Sequence, residues 1–158
     1  MIIKKASIED LDSAALLFDL YRQFYKQTSD PESARKFLGE RINNNDSVIF
    51  LAMDENTNKG MGFTQLFPLF SSLAMKRLWL LNDLYVHEDY RKMGVGEALM
   101  KKAEELAFET GAKGIFLQTH NTNLQAQNLY YKSGYNLDKE FFTFYFNTLK
   151  SKYVNLRQ

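Results

Sequence analysis

Two stretches of this sequence hold residue types that could do chemistry. The first is "YRKMGVGEAL", residues 90–99, which places Arg91, Lys92, Gly94 and Gly96 between an apolar run and a charged one. A helix starting here leaves its first backbone N–H groups unpaired. The helix dipole adds positive potential at the same end, so an anion is favoured there. Glycines let a backbone approach closely and adopt positive φ, and an arginine can hold a phosphate through two hydrogen bonds. Strand, basic turn, glycines and helix in that order suit a pyrophosphate. The same residues also fit a tight turn whose glycines only relieve crowding. The second stretch is "RLWLLNDLYV", an apolar run with Asp83 inside it. Burying that carboxylate costs free energy unless it is used or paired. On a regular strand Asp83 shares a face with Leu81 and Tyr85, and Asn82 points to the opposite face.

Two familiar phosphate-binding patterns are absent. No G-x-x-x-x-G-K-[ST] run occurs, so there is no P-loop. A dinucleotide fingerprint needs a third glycine where Leu99 stands, and a βαβ unit at the chain start that the pattern of elements does not offer.

The elements that must position these residues can be read from periodicity and punctuation. Residues 1–5 suit a short strand. Ser7 with Asp10 three residues on forms a capping-box pair. A helix follows through Leu11, Ala14, Ala15, Phe18 and Tyr21 or Arg22. Asp30 and Pro31 open a second helix that runs to about Ile42. "SVIFLAMD" and "GMGFTQLFPLF" read as strands joined by the turn "ENTNKG". Pro68 places the far end of the second at an edge or outside the sheet. "RLWLLNDLYV" is a fourth strand. A helix over about 94–109 has Val95, Leu99, Ala103, Leu106 and Ala107 as its apolar stripe, with Glu97 and Lys101 spaced to pair outside. "KGIFLQTH" is a fifth strand, "NTNLQAQNLYYKS" a helix closed by Gly134, and "YNLDKEFFTFYFNTL" one or two more strands. The order β-α-α-β-β-β-α-β-α-β predicts a mixed α/β domain on one sheet, a single domain over 1–158.

Composition narrows the function. The net charge of +1 gives no electrostatic case for a nucleic-acid partner. The absence of cysteine excludes a disulfide framework, a thiolate metal site and a cysteine nucleophile. His87 and His120 are not at ligand spacing, so no metal is expected. No run approaches the roughly 18 apolar residues of a membrane span, and the N-terminus lacks a signal-peptide shape. A cytoplasmic protein without a membrane partner is expected. The tail "FFTFYF" has aromatic residues on both faces of a strand. Such a strand is central or covered by another chain, which predicts a homodimer.

The run Arg91-Lys-Met-Gly94-Val-Gly96 fits [RQ]-x-x-G-x-[GA] and resembles the coenzyme A pyrophosphate loop of the GNAT superfamily of N-acetyltransferases. The preceding "NDLYV" resembles that family's fourth strand. The run from Asn123 through Ala126 and Tyr130 to Gly134 and Tyr135 resembles its late N-x-x-A-x-x-x-Y-x-x-x-G-[FY] signature. The order of elements is also the family's, so the resemblance spans nearly the whole chain. Lys92 stands where many relatives have Gly or Arg.

The resemblance implies a sheet splayed between strands four and five, with acetyl-CoA as cosubstrate. It implies that Arg91, Lys92, Met93, Gly94, Val95 and Gly96 hold the pyrophosphate, chiefly through main-chain N–H groups. Leu84, Tyr85 and Val86 would pair with the pantetheine arm. Asn123 would lie near that arm, and "QTHNTN" would face the same gap. Tyr130 falls where the family has the tyrosine that protonates the leaving thiolate, and a phenol can give that proton if within reach. Asp83 resembles the strand acid of aminoglycoside 3-N-acetyltransferases, where it would bind the acceptor ammonium, act as base, or both. An acceptor pocket would draw on Tyr21, Phe24, Tyr25, Phe67, Phe70 and Trp79, any of which also suits the core. The expected activity is direct acetyl transfer to a primary amine of a small, polyamine- or aminoglycoside-like molecule. A protein or peptide amine is the alternative acceptor, and a coenzyme A-binding regulatory module the non-enzymatic alternative.

Overall fold

The computed structural model describes residues 1–148 of the 158-residue chain. Its elements follow the order expected up to the tail. They are β1 (Ile2–Lys5), α1 (Leu11–Phe24), α2 (Pro31–Asn44), β2 (Val48–Met53), β3 (Gly60–Ser71), β4 (Lys76–Val86), α3 (Val95–Glu109), β5 (Ile115–Leu117) and α4 (Leu124–Lys132). The Ser7–Asp10 capping box forms and opens a single 3-10 turn ahead of α1. Asp30 caps α2 by accepting from the Ser33 N–H at 3.0 Å, with Pro31 in the first turn.

The sheet order is β1-β2-β3-β4-β5. Every pair is antiparallel except β4 with β5, which is parallel. Strand β2 is buried at all six positions, and its residues alternate between two cores. Ile49, Leu51 and Met53 pack with Leu17, Leu38 and Phe63 beneath α1 and α2. Val48, Phe50 and Ala52 pack with Leu81, Leu99 and Met100 beneath α3. A strand covered by helices on both faces must be apolar throughout, which is what "VIFLAM" supplies.

Four details differ from or refine the sequence reading. Strand β3 continues through Pro68 to Ser71 rather than leaving the sheet, but β2 has ended opposite Leu66. At Pro68 the strand is therefore an edge, where a missing N–H is tolerated. Glu97 pairs with Lys132 of α4 at 2.6 Å, not with Lys101, because α4 ends beside the start of α3. Pairing of β5 with β4 covers only Trp79, Leu80 and Leu81. From Asn82 to Val86, β4 has no neighbour on that side among the described residues, which is the expected splay. In the tail, residues 135–148 contain no strand, contrary to expectation, and Leu149 lies outside the described residues. Aromatic β-propensity does not make a strand without a ladder to join. Phe142 and Phe144 are 89% and 92% exposed.

The turn between α1 and α2 is held by a buried charge. Asp19 accepts from Gln23 Nε2 at 2.9 Å, Ser29 Oγ at 2.7 Å and the Asp30 N–H at 2.7 Å. Burial alone would raise its pKa, but these hydrogen bonds and nearby Arg22 win and hold the carboxyl below the usual range. A depressed carboxyl contributes stability that is complete above its unfolded value and is lost as pH falls through the folded value. Asp19→Ala should therefore cost about 2–3 kcal/mol at neutral pH. In Asp19→Asn the decline of stability below about pH 4 should flatten. Urea melts at several pH values check both.

Candidate active site

The chain leaves β4 at Val86, makes one 3-10 turn (Glu88–Tyr90) and enters α3 through the glycine loop. Lys92 and Gly94 both have left-handed backbones, φ +62° and +78°. Gly94 is the N-cap of α3 and has no side chain to bond the first-turn N–H groups. Those donors therefore remain available to a ligand. Arg91 Nε donates to the Val86 carbonyl at 3.2 Å, and its guanidinium lies 6.0 Å from the Phe24 ring centre. The loop is thus tied to the end of β4. Gly62 of β3 permits the close strand approach here, since a Cβ would lie 2.5 Å from the Tyr85 carbonyl oxygen.

A groove of about 270 Å³ runs along this region. Leu84, Tyr85 and Val86 form one wall, and Arg91, Lys92, Gly94, Val95 and Gly96 the floor. Asn123 and Tyr130 approach from α4. Met93 is the exception among the expected loop residues: its side chain is exposed and lies outside the groove. Asn123 caps α4 by accepting from the Ala126 N–H at 3.1 Å. Tyr130 is half-buried, and burial, with a smaller effect of Tyr25, pushes its pKa up to about 12. Phe24, Tyr25, Glu97 and Leu129 also line the groove and were not foreseen there.

The groove suits the diphosphate and extended arm of coenzyme A on this chain's own features. It offers unbonded helix N–H groups, two cations and an open strand edge. Among the described residues no cluster of three or more acidic, His or Cys side chains could hold a metal.

A second cavity of about 340 Å³ adjoins it and shares Tyr25. Tyr21 and Asn82 line it, with Gln118, Thr119 and His120 from the end of β5. The strand end "QTH" thus reaches the gap as expected. Asp83 does not line the cavity; it is buried just behind it. Its Oδ2 accepts from Gln65 Nε2 at 2.9 Å and its Oδ1 from Asn82 Nδ2 at 3.0 Å. The Tyr21 hydroxyl lies beside it and favours its charged form. Burial raises the Asp83 pKa above the usual carboxylate range, and the two amides with Tyr21 only partly offset it.

Asn82 therefore does not point away from Asp83. Gln65 pairs with Asp83 and Leu66 with Leu81, so Asn82 is an extra residue, a β-bulge. The bulge shifts the alternation. Leu81 packs on the α3 side, whereas Tyr85 packs on the α1 side, so these two do not share a face. Asp83 faces α1 with Tyr85. Sequence reasoning missed Gln65; the signal was the polar pair Thr64-Gln65 inside an apolar strand. Of the expected acceptor-wall residues, Tyr21 and Tyr25 line the second cavity and Phe24 the groove. Trp79 is core, donating from Nε1 to Thr110 Oγ1 at 2.9 Å. Phe70 is exposed beneath Arg77, and Phe67 lines neither space.

Residues 14–135 match the model of the Acetyltransferase (GNAT) family. The chain is 43% identical over 141 residues to "Uncharacterized N-acetyltransferase YhfO" of Bacillus subtilis, covering 89% of this chain and 93% of the relative. It is 29% identical over 140 residues to "D-amino-acid N-acetyltransferase HPA3" of Saccharomyces cerevisiae, covering 88% and 87%. A solved structure described as "a probable acetyltransferase" superposes with a TM-score of 0.89 at 42% identity, over 93% of this chain and 97% of that one. The chain belongs to the GNAT family and has its fold. It is an acetyltransferase by class, and the family uses acetyl-CoA as cosubstrate.

The left-handed loop gives a paired prediction. At Gly94 no atom lies within 4 Å of an added Cβ, so only the backbone conformation opposes a side chain. Gly94→Ala should destabilise by about 1 kcal/mol, and Lys92→Gly should stabilise by up to about 1 kcal/mol. Denaturant midpoints at unchanged slope report both.

Proposed function

We propose that this chain is a single-domain, cytoplasmic N-acetyltransferase that moves an acetyl group directly from acetyl-CoA to a primary amine of a small cationic molecule, polyamine- or aminoglycoside-like. The observation that carries this reading is the second cavity. Its polar wall is Tyr21, Asn82, Gln118, Thr119 and His120, with Asp83 behind Asn82; Tyr25 supplies an aromatic face, and among the described residues no Lys or Arg lines it. Such a lining suits a cation.

Acetyl-CoA supplies the acetyl thioester. The α3 N–H groups, with Arg91 and Lys92, hold the pyrophosphate, and the open edge at Leu84–Val86 orients the extended arm. Asn123 flanks that arm from the α4 cap. Asp83 accounts for the proton of the incoming ammonium. Tyr130 donates a proton to the sulfur as it leaves. A phenol with a pKa of about 12 remains protonated across the physiological range, so the donor is always loaded. No cysteine is present to carry the acetyl group, which agrees with direct transfer.

The exposed tail supports a homodimer. Phe141, Phe142, Phe144, Tyr145 and Phe146 are all exposed, a run of apolar surface that single soluble chains avoid. Light scattering of the full chain should give twice the chain mass, and Phe144→Asp should lower it.

The activity test is release of free thiol from acetyl-CoA with polyamines, aminosugars, D-amino acids and lysine peptides offered separately. Turnover on the first two supports the reading. Turnover on peptides alone moves the acceptor to protein. Binding of acetyl-CoA without turnover leaves a coenzyme A-binding regulatory module. At 100 times its dissociation constant acetyl-CoA should stabilise the fold by about 2.7 kcal/mol, and ATP or NAD should not. Tyr130→Phe should lower kcat by about 10²-fold or more at unchanged acetyl-CoA affinity.

A further inference from the structure

Asp83 has the chemistry of a base but not the position of one. It is 3% exposed and forms no part of the cavity wall. Two residues that line the cavity reach the carboxylate: the Asn82 amide bonds it, and the Tyr21 hydroxyl lies beside it and favours its charged form. They differ in what they can pass. The Asn82 amide Nδ2 donates to Asp83 Oδ1, and an amide nitrogen has no lone pair available to take a proton. A hydroxyl can donate to the carboxylate and accept from the cavity at the same moment.

We propose that the Tyr21 hydroxyl is the group that meets the acceptor's ammonium, and that it passes the ammonium proton inward to the Asp83 carboxylate. This rests on the acetyl-transfer reading above. The step balances. One N–H bond of the ammonium breaks as a new O–H bond forms on Tyr21. The original Tyr21 O–H bond breaks as its proton bonds to Asp83. The products are a neutral amine, a neutral tyrosine and a carboxylic acid, with the nitrogen lone pair free to attack.

Packing fixes the relay group in place. The Tyr21 ring meets Tyr25, Phe63 and Tyr85 edge-on, with ring centres 5.1, 5.9 and 6.3 Å away. Burial and the neighbouring Asp83 push its phenol far above the usual tyrosine range, so it relays a proton without resting as a phenolate. Desolvation raises Asp83, which favours its holding the proton once delivered. The other titratable groups facing the pair are the phenols Tyr25, Tyr85 and Tyr130, and His120 across the cavity. His120 Nδ1 is paired with Thr122 Oγ1 at 2.7 Å. Arg22, on the same helix as Tyr21, is directed to Asp19.

Tyr21→Phe keeps the ring and removes only the hydroxyl. With the full chain and the best amine of the panel, kcat/KM should fall by about 10²-fold near neutral pH. The loss should shrink as pH rises toward about 10.4 and beyond, where a growing share of a simple amine is already neutral. Acetyl-CoA affinity should not change. Adding Asp83→Asn should cost nothing further, because groups acting as one relay are not additive. A wild-type pH profile, a loss equal at all pH values, or a multiplicative double variant each overturns the relay. So does a Tyr21 effect that vanishes in a His120→Gln background, which would assign the proton to His120. An activity-free readout is the carbon-13 carboxyl titration of Asp83, which should move upward in Tyr21→Phe because a bond to the charged form is lost. An unmoved titration with an active wild type overturns the relay alone. No thiol release by the wild type with any amine overturns the acetyl-transfer reading instead.

Discussion

In β4 the ladder to β3 steps from Asp83 opposite Gln65 to Leu81 opposite Leu66, and Asn82 is left over. Without that bulge, with Asn82 paired as an ordinary strand residue, strict alternation would place Asp83 and Tyr85 on the same face as Leu81, against α3. With it, Asp83 turns toward α1, where Gln65 bonds it and Tyr21 lies beside it. The same bulge lies where β5 stops pairing with β4, immediately after Leu81. The carboxylate, its partners and the start of the strand gap are therefore fixed together. Bulges add twist and re-aim side chains, and this one does both at the point where the two cavities adjoin.

Two buried aspartates show how surroundings set opposite behaviour. Asp19 is bonded by a backbone N–H, a hydroxyl and an amide, with Arg22 close by, and its acidity is enhanced. Asp83 is bonded by two amides, with a phenol beside it and no cation among them, and its acidity is weakened. The first carboxylate holds a turn and contributes to stability as an anion. The second is poised to gain a proton, and ionising it opposes folding once pH rises above its unfolded value. A group suited to take a proton is thus kept at some cost in stability.

The sequence made much of the groove legible because its determinants are local. Helix-start geometry, positive φ at glycine, and a cap at Asn123 depend on residues within a few positions of one another. The loop 91–96, the walls from Leu84 to Val86, and Asn123 and Tyr130 at α4 lie together as the resemblance to the GNAT family implied, with the Met93 side chain turned outward. Lys92 is left-handed, a conformation in which a β-carbon is strained. The tail was misjudged for the complementary reason. Strand character depends on a neighbour, and residues 135–148 have none within the described chain.

By itself, then, the sequence determined the order of elements, the two-faced burial of β2, the anion-binding loop and the presence of a carboxylate at risk of burial. Each follows from periodicity, capping or composition, which are properties of short windows. The tertiary structure alone decided which way Asp83 faces, that Gln65 bonds it with Tyr21 beside it, that Glu97 pairs across to Lys132, and that Tyr25 borders both spaces. These are contacts between residues tens of positions apart, and the shift that creates the central one is a single unpaired residue. Alternating hydrophobicity does not reveal such a residue, because "LLNDLYV" reads equally well in either register until a partner strand is laid beside it.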